Sequence, residues 1–219
     1  MKSLIVLIVC CTLLWCSLGA LAQDGAYVQH VIDGDTVVLR TGRHLRYIGI
    51  DAPEIFHKEN TAQPFGYAAR DYNRQLVENG KVFLVFDREH KDGYQRLLAY
   101  VYDKDQRFIN RLMLLHGYAY YLYVSPNTRY HDLLLQAQRT AMKEGRGIWE
   151  QGTAQKNIFI GNTKSKRFHL PACPFGKRLK YRNRIEFHSK REAFWEGYAP
   201  CKRCLPVGPL RPSDRGAGG

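Results

Sequence analysis

The apolar positions of this chain fall into short runs separated by polar, Gly- and Asp-containing breaks. Tyr27–Ile32 and Thr36–Arg40 are two such runs. Asp33-Gly34 between them predicts a hairpin, because glycine tolerates the positive φ of a tight turn. A third run, His44–Ile50, ends at Asp51-Ala52-Pro53. Proline lacks the N–H that a central strand needs, so the strand should stop there. Val82–Phe86 and Leu97–Tyr102 also read as strands. Elsewhere the period changes. From Phe65 to Asn79, the residues Ala68, Ala69, Tyr72, Leu76 and Val77 recur at helical spacing, with Gly80 placed to follow the helix C-terminus. Phe108–His116 predicts a short helix closed by Gly117. A last helix, Tyr130–Lys143, has Leu133, Ala137 and Ala141 on one stripe and stops at Gly145. Five short strands with three helices predict a mainly β fold with α, a small barrel carrying helices on its flank.

The two ends differ from this middle. Lys2, an apolar run from Leu4 to Trp15, and Ala20-Leu21-Ala22 before Gln23 form the order of a secretory signal peptide, cleaved after Ala22. The chain is therefore expected to be secreted or periplasmic, with no stable membrane anchor once residues 1–22 are removed. Cys10, Cys11 and Cys16 would leave with that segment, and Cys173, Cys201 and Cys204 would remain. Near Gly161 positive charge rises and aromatic residues cluster. The expected organisation is a barrel domain over 23–152, a cysteine-containing module over 160–206 and a disordered Pro/Gly-rich tail over 207–219.

Composition narrows the class of partner. The 219 residues are 45% hydrophobic and 12% aromatic, as in a folded protein, and carry a formal net charge of +13. That balance suits a polyanion: nucleic acid, an anionic membrane surface or an acidic polysaccharide.

Three acids sit where strands end: Asp35 after the first turn, and Asp51 and Glu54 around Pro53. Carboxylates on one rim of a barrel suit a hard divalent cation, which takes oxygen ligands and accepts a backbone carbonyl among them. Pro53 biases Ala52 toward an extended backbone and so fixes the direction of its carbonyl. Taken alone, the same residues also read as a turn and a strand terminator. Arg46, in the strand leading to Asp51, and Arg96, opening Leu97-Leu98-Ala99-Tyr100, add two planar forks that can each bond phosphate twice. A cation, a base and two forks are the parts that phosphoester displacement requires.

Val31-Ile32-Asp33-Gly34-Asp35-Thr36-Val37 and Arg46-Tyr47-Ile48-Gly49-Ile50-Asp51-Ala52-Pro53-Glu54 resemble the two signature blocks of the staphylococcal (micrococcal) nuclease family. Asp92-Gly93-Tyr94-Gln95-Arg96-Leu97-Leu98-Ala99-Tyr100 is similar to its third, and the likeness runs from about Tyr27 to Glu150. The resemblance implies an OB-type five-stranded barrel with three helices. It also implies a calcium-dependent hydrolase that cuts DNA and RNA by in-line attack of water, leaving a 3′-phosphate. The chain is expected to be a monomer. The resemblance assigns Asp35, Asp51 and the carbonyl of Ala52 to calcium, Glu54 to the attacking water, and Arg46 and Arg96 to the phosphate. Tyr94 would meet the terminal phosphate of the bound nucleotide and Tyr123 its ring, with Tyr121 as the other candidate for that ring. The family usually has threonine at Ala52 and glycine at Gln95. A barrel that binds nucleic acid without cutting it is the competing reading.

His169-x3-Cys173 and Cys201-x2-Cys204 give four soft or borderline ligands in two short pairs, a zinc arrangement of the Cys3His kind. An oxidised pair with one free thiol is the alternative. The stretch from Gly161-Asn162 through Phe168-His169-Leu170-Pro171-Ala172-Cys173 to Pro200-Cys201-Lys202-Arg203-Cys204 resembles the zinc-binding domain of the Ada DNA-repair proteins. That domain normally has cysteine at the position of His169, so the resemblance implies a structural zinc and not the repair chemistry. His188 is a substitute ligand candidate. Lys177, Arg178, Lys180, Arg182 and Arg184, with Tyr181 among them, form a basic run that suits phosphate tracking.

Overall fold

Short strands leave unpaired N–H and C=O groups at their edges unless the sheet closes on itself. In the computed structural model, which describes residues 24–56, 61–150 and 156–205, the long strands of the first half do close. The elements of that half run β1 (Asp24–Val31), β2 (Thr36–Leu39), β3 (His44–Tyr47), β4 (Ile50–Asp51), β5 (Ile55–Phe56), β6 (Thr61–Ala62), α1 (Gly66–Val77), β7 (Lys81–Val85), β8 (Leu97–Asp103), α2 (Ile109–Leu115), β9 (Tyr120–Tyr121) and α3 (His131–Glu144). The barrel order is β1-β2-β3-β8-β7, antiparallel except for the β3–β8 pair, where Leu45 lies beside Leu97. Val28, Val37, Leu45, Val82, Ala99 and Val101 are sealed inside. The N-terminal apolar segment through Ala22 and the tail from 206 lie outside the described residues.

Local chemistry explains where these elements differ from the expected ones. The run His44–Ile50 is broken into β3 and β4 at Gly49, whose φ is +80°. A Cβ there would lie 2.5 Å from Leu134 of α3, so glycine lets the helix lie against the chain at this break. Helix α1 buries Gly66, Ala69, Asn73 and Val77, while Ala68 faces solvent. The left-handed residue after it is Asn79 (φ 57°), not Gly80; asparagine tolerates that conformation better than most side chains. Gly117 and Gly145 do take left-handed φ after α2 and α3, as expected. The buried face of α3 is Leu134, Leu135, Ala137, Gln138, Ala141 and Met142; Ala137 and Ala141 lie on it as expected, whereas Leu133 is exposed.

The width of that face has a cause: α3 serves two cores. Leu134 packs on the barrel, whereas Ala141 and Met142 join Tyr120 and Trp149 in a second cluster with Phe159, Phe168, Phe187 and Phe194. The second half supplies those rings from β10 (Lys156–Asn162), β11 (Arg167–His169), α4 (Pro174–Lys177), β12 (Arg184–Ser189), α5 (Lys190–Trp195) and β13 (Ala199–Pro200), with sheet order β12-β10-β11-β13. Gln138 ties the halves: its carbonyl accepts from Tyr121 N at 2.7 Å and its amide donates to Phe194 O at 2.6 Å. Both ends of a buried amide are thereby satisfied.

Candidate active site at the barrel mouth

The β1–β2 turn is held by its own backbone and by one acid. Ile32 and Asp33 N–H both donate to Thr36 O, and Asp33 Oδ1 accepts from Asp35 N at 2.9 Å. Asn73 of α1 anchors the turn from behind, donating to Asp33 O at 3.0 Å while its carbonyl accepts from the Tyr47 hydroxyl. A Cβ on Gly34 would lie 2.6 Å from the Cβ of Ala52 and 2.9 Å from that of Ala69. Glycine therefore permits the turn to approach the Asp51-Ala52 segment, and Asp35 Oδ2 accepts from Ala52 N at 2.6 Å. Asp35 and Asp51 are both buried, each 4% exposed.

Arg46 joins the two acids. It lies opposite Thr36 in the β2–β3 ladder, with Nη1 2.9 Å from Asp35 Oδ2 and Nη2 2.8 Å from Asp51 Oδ1. Burial opposes the charge on Arg46, but the carboxylates of Asp35 and Asp51 more than offset it and raise its pKa. For Asp35, burial outweighs Arg46, and the nearby Asp33 and Asp51 push in the same direction, so its pKa stands well above the usual carboxylate range. A further cation beside it would favour the ionised form.

Glu54 stands at the rim. Its N–H donates to Gln63 Oε1 and its carbonyl accepts from Gln63 N, both at 2.9 Å. Arg96 is parked on Asp92, with Nε and Nη2 each 2.7 Å from Oδ2. Burial would raise the Asp92 pKa, but the bonds from the Arg96 side chain and backbone prevail and hold it below its ordinary value. The turn carrying this pair puts Gln95 at φ 63°, a conformation glycine adopts without strain. Asp35, Arg46, Asp51, Glu54 and Arg96 all line one cavity of about 260 Å3. Tyr94 lies outside it: 85% exposed, it borders a neighbouring groove together with Arg96 and Glu54. Tyr123 lies outside both. Its ring packs edge-on against His131, while Leu122 and Val124 line the cavity in its place. Tyr121 is buried, its hydroxyl on His131 Nδ1.

Two cations line the cavity with no sequence expectation. Lys202 and Arg167 line it from the C-terminal half, and Lys202 Nζ is 3.3 Å from Asp51 Oδ1 and 3.0 Å from Glu54 Oε1. Both belong to the segment that carries the cysteines, and their approach to the barrel is a long-range contact that local pattern does not encode.

The second cluster is sulfur-rich. The ligand atoms of His169, Cys173, Cys201 and Cys204 all lie within 4.8 Å of one another, and the three thiols are free. Burial would raise the Cys173 pKa, but N–H groups of Gly176 and Phe175 and the neighbouring thiols bring it below the ordinary value. Burial, then its neighbouring thiols, pushes Cys204 up to about 12. Burial and Arg167 lower the pKa of His169, which favours the neutral imidazole that a metal binds. This donor set fits zinc, and the oxygen-only set at the barrel mouth fits a hard cation such as calcium. His188 is not part of the cluster.

Comparison with known proteins agrees with this architecture. Residues 44–151 match the family model described as staphylococcal nuclease homologue. The thermonuclease of Staphylococcus intermedius is 39% identical over 127 residues, 57% of this chain and 75% of that protein. The thermonuclease of Staphylococcus hyicus is 38% identical over 132 residues, 58% of this chain and 78% of its own length. Endonuclease YncB of Bacillus subtilis is 36% identical over 129 residues, covering 57% of this chain and 61% of the relative. With about three quarters of two thermonucleases spanned at this identity, and a closed barrel of the matching kind, the chain belongs to the staphylococcal nuclease family.

Proposed function

We propose that this chain is an exported, calcium-dependent nuclease that hydrolyses DNA and RNA to products ending in a 3′-phosphate. The observation that carries the reading is the convergence of Asp35, Asp51, Glu54, Arg46 and Arg96 on one cavity. Phosphodiester hydrolysis needs a positioned water, an acceptor for its proton and stabilisation of charge on the phosphoryl oxygens. Glu54, fixed at its backbone and exposed at its carboxylate, takes the proton of the attacking water. The P–O5′ bond breaks as the new P–O bond forms, and the departing 5′ oxygen takes a proton from solvent. Arg46 and Arg96 supply planar forks to the phosphate. Asp35, Asp51 and the Ala52 carbonyl would hold calcium, which supplies charge neutralisation and a more acidic water when bound. Tyr94 borders the groove through which the strand would arrive.

Backbone and charge, not base edges, are what such a site reads, which suits action on both DNA and RNA. The second cluster is assigned a structural zinc on His169, Cys173, Cys201 and Cys204. Export rests on the N-terminal sequence pattern. Among the described residues, no helix is long and apolar enough to cross a membrane. The test is end analysis of a labelled single-stranded oligonucleotide cut in calcium: 3′-phosphate, 5′-hydroxyl products are expected, and 5′-phosphate products would refute the proposed bond cleavage.

A further inference from the structure

The second half of the chain touches the barrel at one chemically loaded point. Cys201 N donates to Phe168 O, Leu205 N donates to Cys201 O, and Leu170 N donates to Cys204 Sγ. These bonds, with the cysteine cluster, fix the Cys201–Cys204 knuckle, and the knuckle projects Lys202. The parallel pairing of β11 with β13, with Arg167 opposite Ala199, brings Arg167 alongside, and Arg167 Nη1 donates to Pro200 O at 3.2 Å. The result is two cations from the C-terminal sheet inside the cavity that holds the catalytic acids.

Formal charge shows what they accomplish. The cavity is lined by the carboxylates of Asp33, Asp35, Asp51, Glu54 and Asp92, and from the barrel only Arg46 and Arg96 oppose them. Even with a divalent cation bound, the barrel groups alone stay net negative, and a phosphodiester anion would be repelled. Lys202 and Arg167 reverse the sign of the loaded cavity, so that it attracts the anion it must bind. Lys202 also shares a habit with both guanidinium groups. In this structure Arg46 rests on Asp35 and Asp51, Arg96 on Asp92, and Lys202 on Asp51 and Glu54. Each is a cation held on carboxylates until a phosphate competes for it. The Lys202 side chain stays 58% exposed and borders both the cavity and the open groove of Tyr94, so its ammonium group has room to turn from one to the other.

We propose that Lys202 is a substrate-binding residue of this nuclease: its ammonium group binds a strand phosphate beside the scissile one, and the Cys201–Cys204 knuckle exists in part to place it there. The assignment rests on the nuclease reading and deepens it, making the C-terminal sheet a component of the substrate site.

The experiment is steady-state cleavage of single-stranded DNA in calcium by wild type, Lys202→Ala, Lys202→Arg and Cys204→Ser. Loss of one charge-assisted phosphate contact raises KM about tenfold in Lys202→Ala. In the same variant kcat changes little, and the salt dependence of log KM becomes shallower by about 0.7. Lys202→Arg keeps the charge and restores most of the affinity. Cys204→Ser shifts KM in the same direction and adds nothing further when combined with Lys202→Ala. An unchanged KM in Lys202→Ala overturns the proposal, as does faster cleavage by that variant at limiting calcium, which would mark Lys202 as a plug. A wild-type protein that leaves the DNA intact refutes the nuclease reading instead. The same substitutions are then compared in a Glu54→Gln background, which slows hydrolysis of the probe, by the anisotropy of a fluorescent oligo-dT in calcium, where equal dissociation constants overturn the assignment of Lys202.

Discussion

Two groups of donor side chains, one at the barrel mouth and one in the C-terminal half, are built on opposite plans. At the barrel mouth the donors are oxygens, supplied by a turn and by strand ends, and they open on a cavity of about 260 Å3. In the C-terminal sheet the donors are three sulfurs and an imidazole; His169, Cys173 and Cys201 are buried, and all four ligand atoms face one another. A closed tetrahedral set spends every coordination position on the protein, so it can only hold structure in place. An open set of hard oxygens leaves positions for water and phosphate, which is what chemistry requires. Donor type and closure are what support the two roles proposed for these groups.

Variants can break that division. The largest effect on turnover is expected from Glu54→Gln, which should lower kcat by about 10^2- to 10^4-fold, the usual contribution of a general base, while KM for an oligonucleotide in calcium stays within about twofold. A kcat near that of wild type would remove Glu54 from the chemistry. Cys201→Ser should act on the other side of the comparison. Zinc content is expected to fall from one ion per chain to a fraction of that, and the near-ultraviolet signal of the Phe168–Phe194–Trp149 cluster to weaken, because structural zinc binding is worth about 10–16 kcal/mol in small modules. Unchanged zinc content would remove Cys201 from the metal set. Arg46→Met should be smaller but informative. It leaves Asp35 and Asp51 buried without their shared fork, at a cost of about 3 kcal/mol in chelator. Calcium should then raise the melting temperature of this variant more than it raises that of wild type. Equal shifts would show that the cation and Arg46 do not share those carboxylates.

The barrel was legible because its signals are local: apolar runs of strand length, Asp-Gly at a hairpin, glycine after helices α2 and α3. The acids and guanidinium groups could be named from the same stretches. The misreadings also have physical reasons. Gly49 looks like any residue in an apolar run until Leu134 is packed against it. On α3, Ala137 and Ala141 are buried as expected and Leu133 is not, because the buried face is shared by two cores and the period of one face does not reveal the second. What local pattern does not show for Tyr123 is that its ring packs on His131, with Leu122 and Val124 on the cavity side of that segment. The strands of the C-terminal sheet were not named, because their apolar stretches are short: β12 reads Arg-Ile-Glu-Phe-His-Ser, and only Phe187 of it is buried. Least legible was Lys202, which meets Glu54 from 148 positions away.

The most direct measurement is the fate of single-stranded DNA incubated with purified protein in calcium and, side by side, with a chelator. Degradation in calcium that stops in chelator is the expected result. DNA cut equally in both, or intact in both, would contradict the claim that Asp35, Asp51 and Glu54 work with Arg46 and Arg96 around a shared cation.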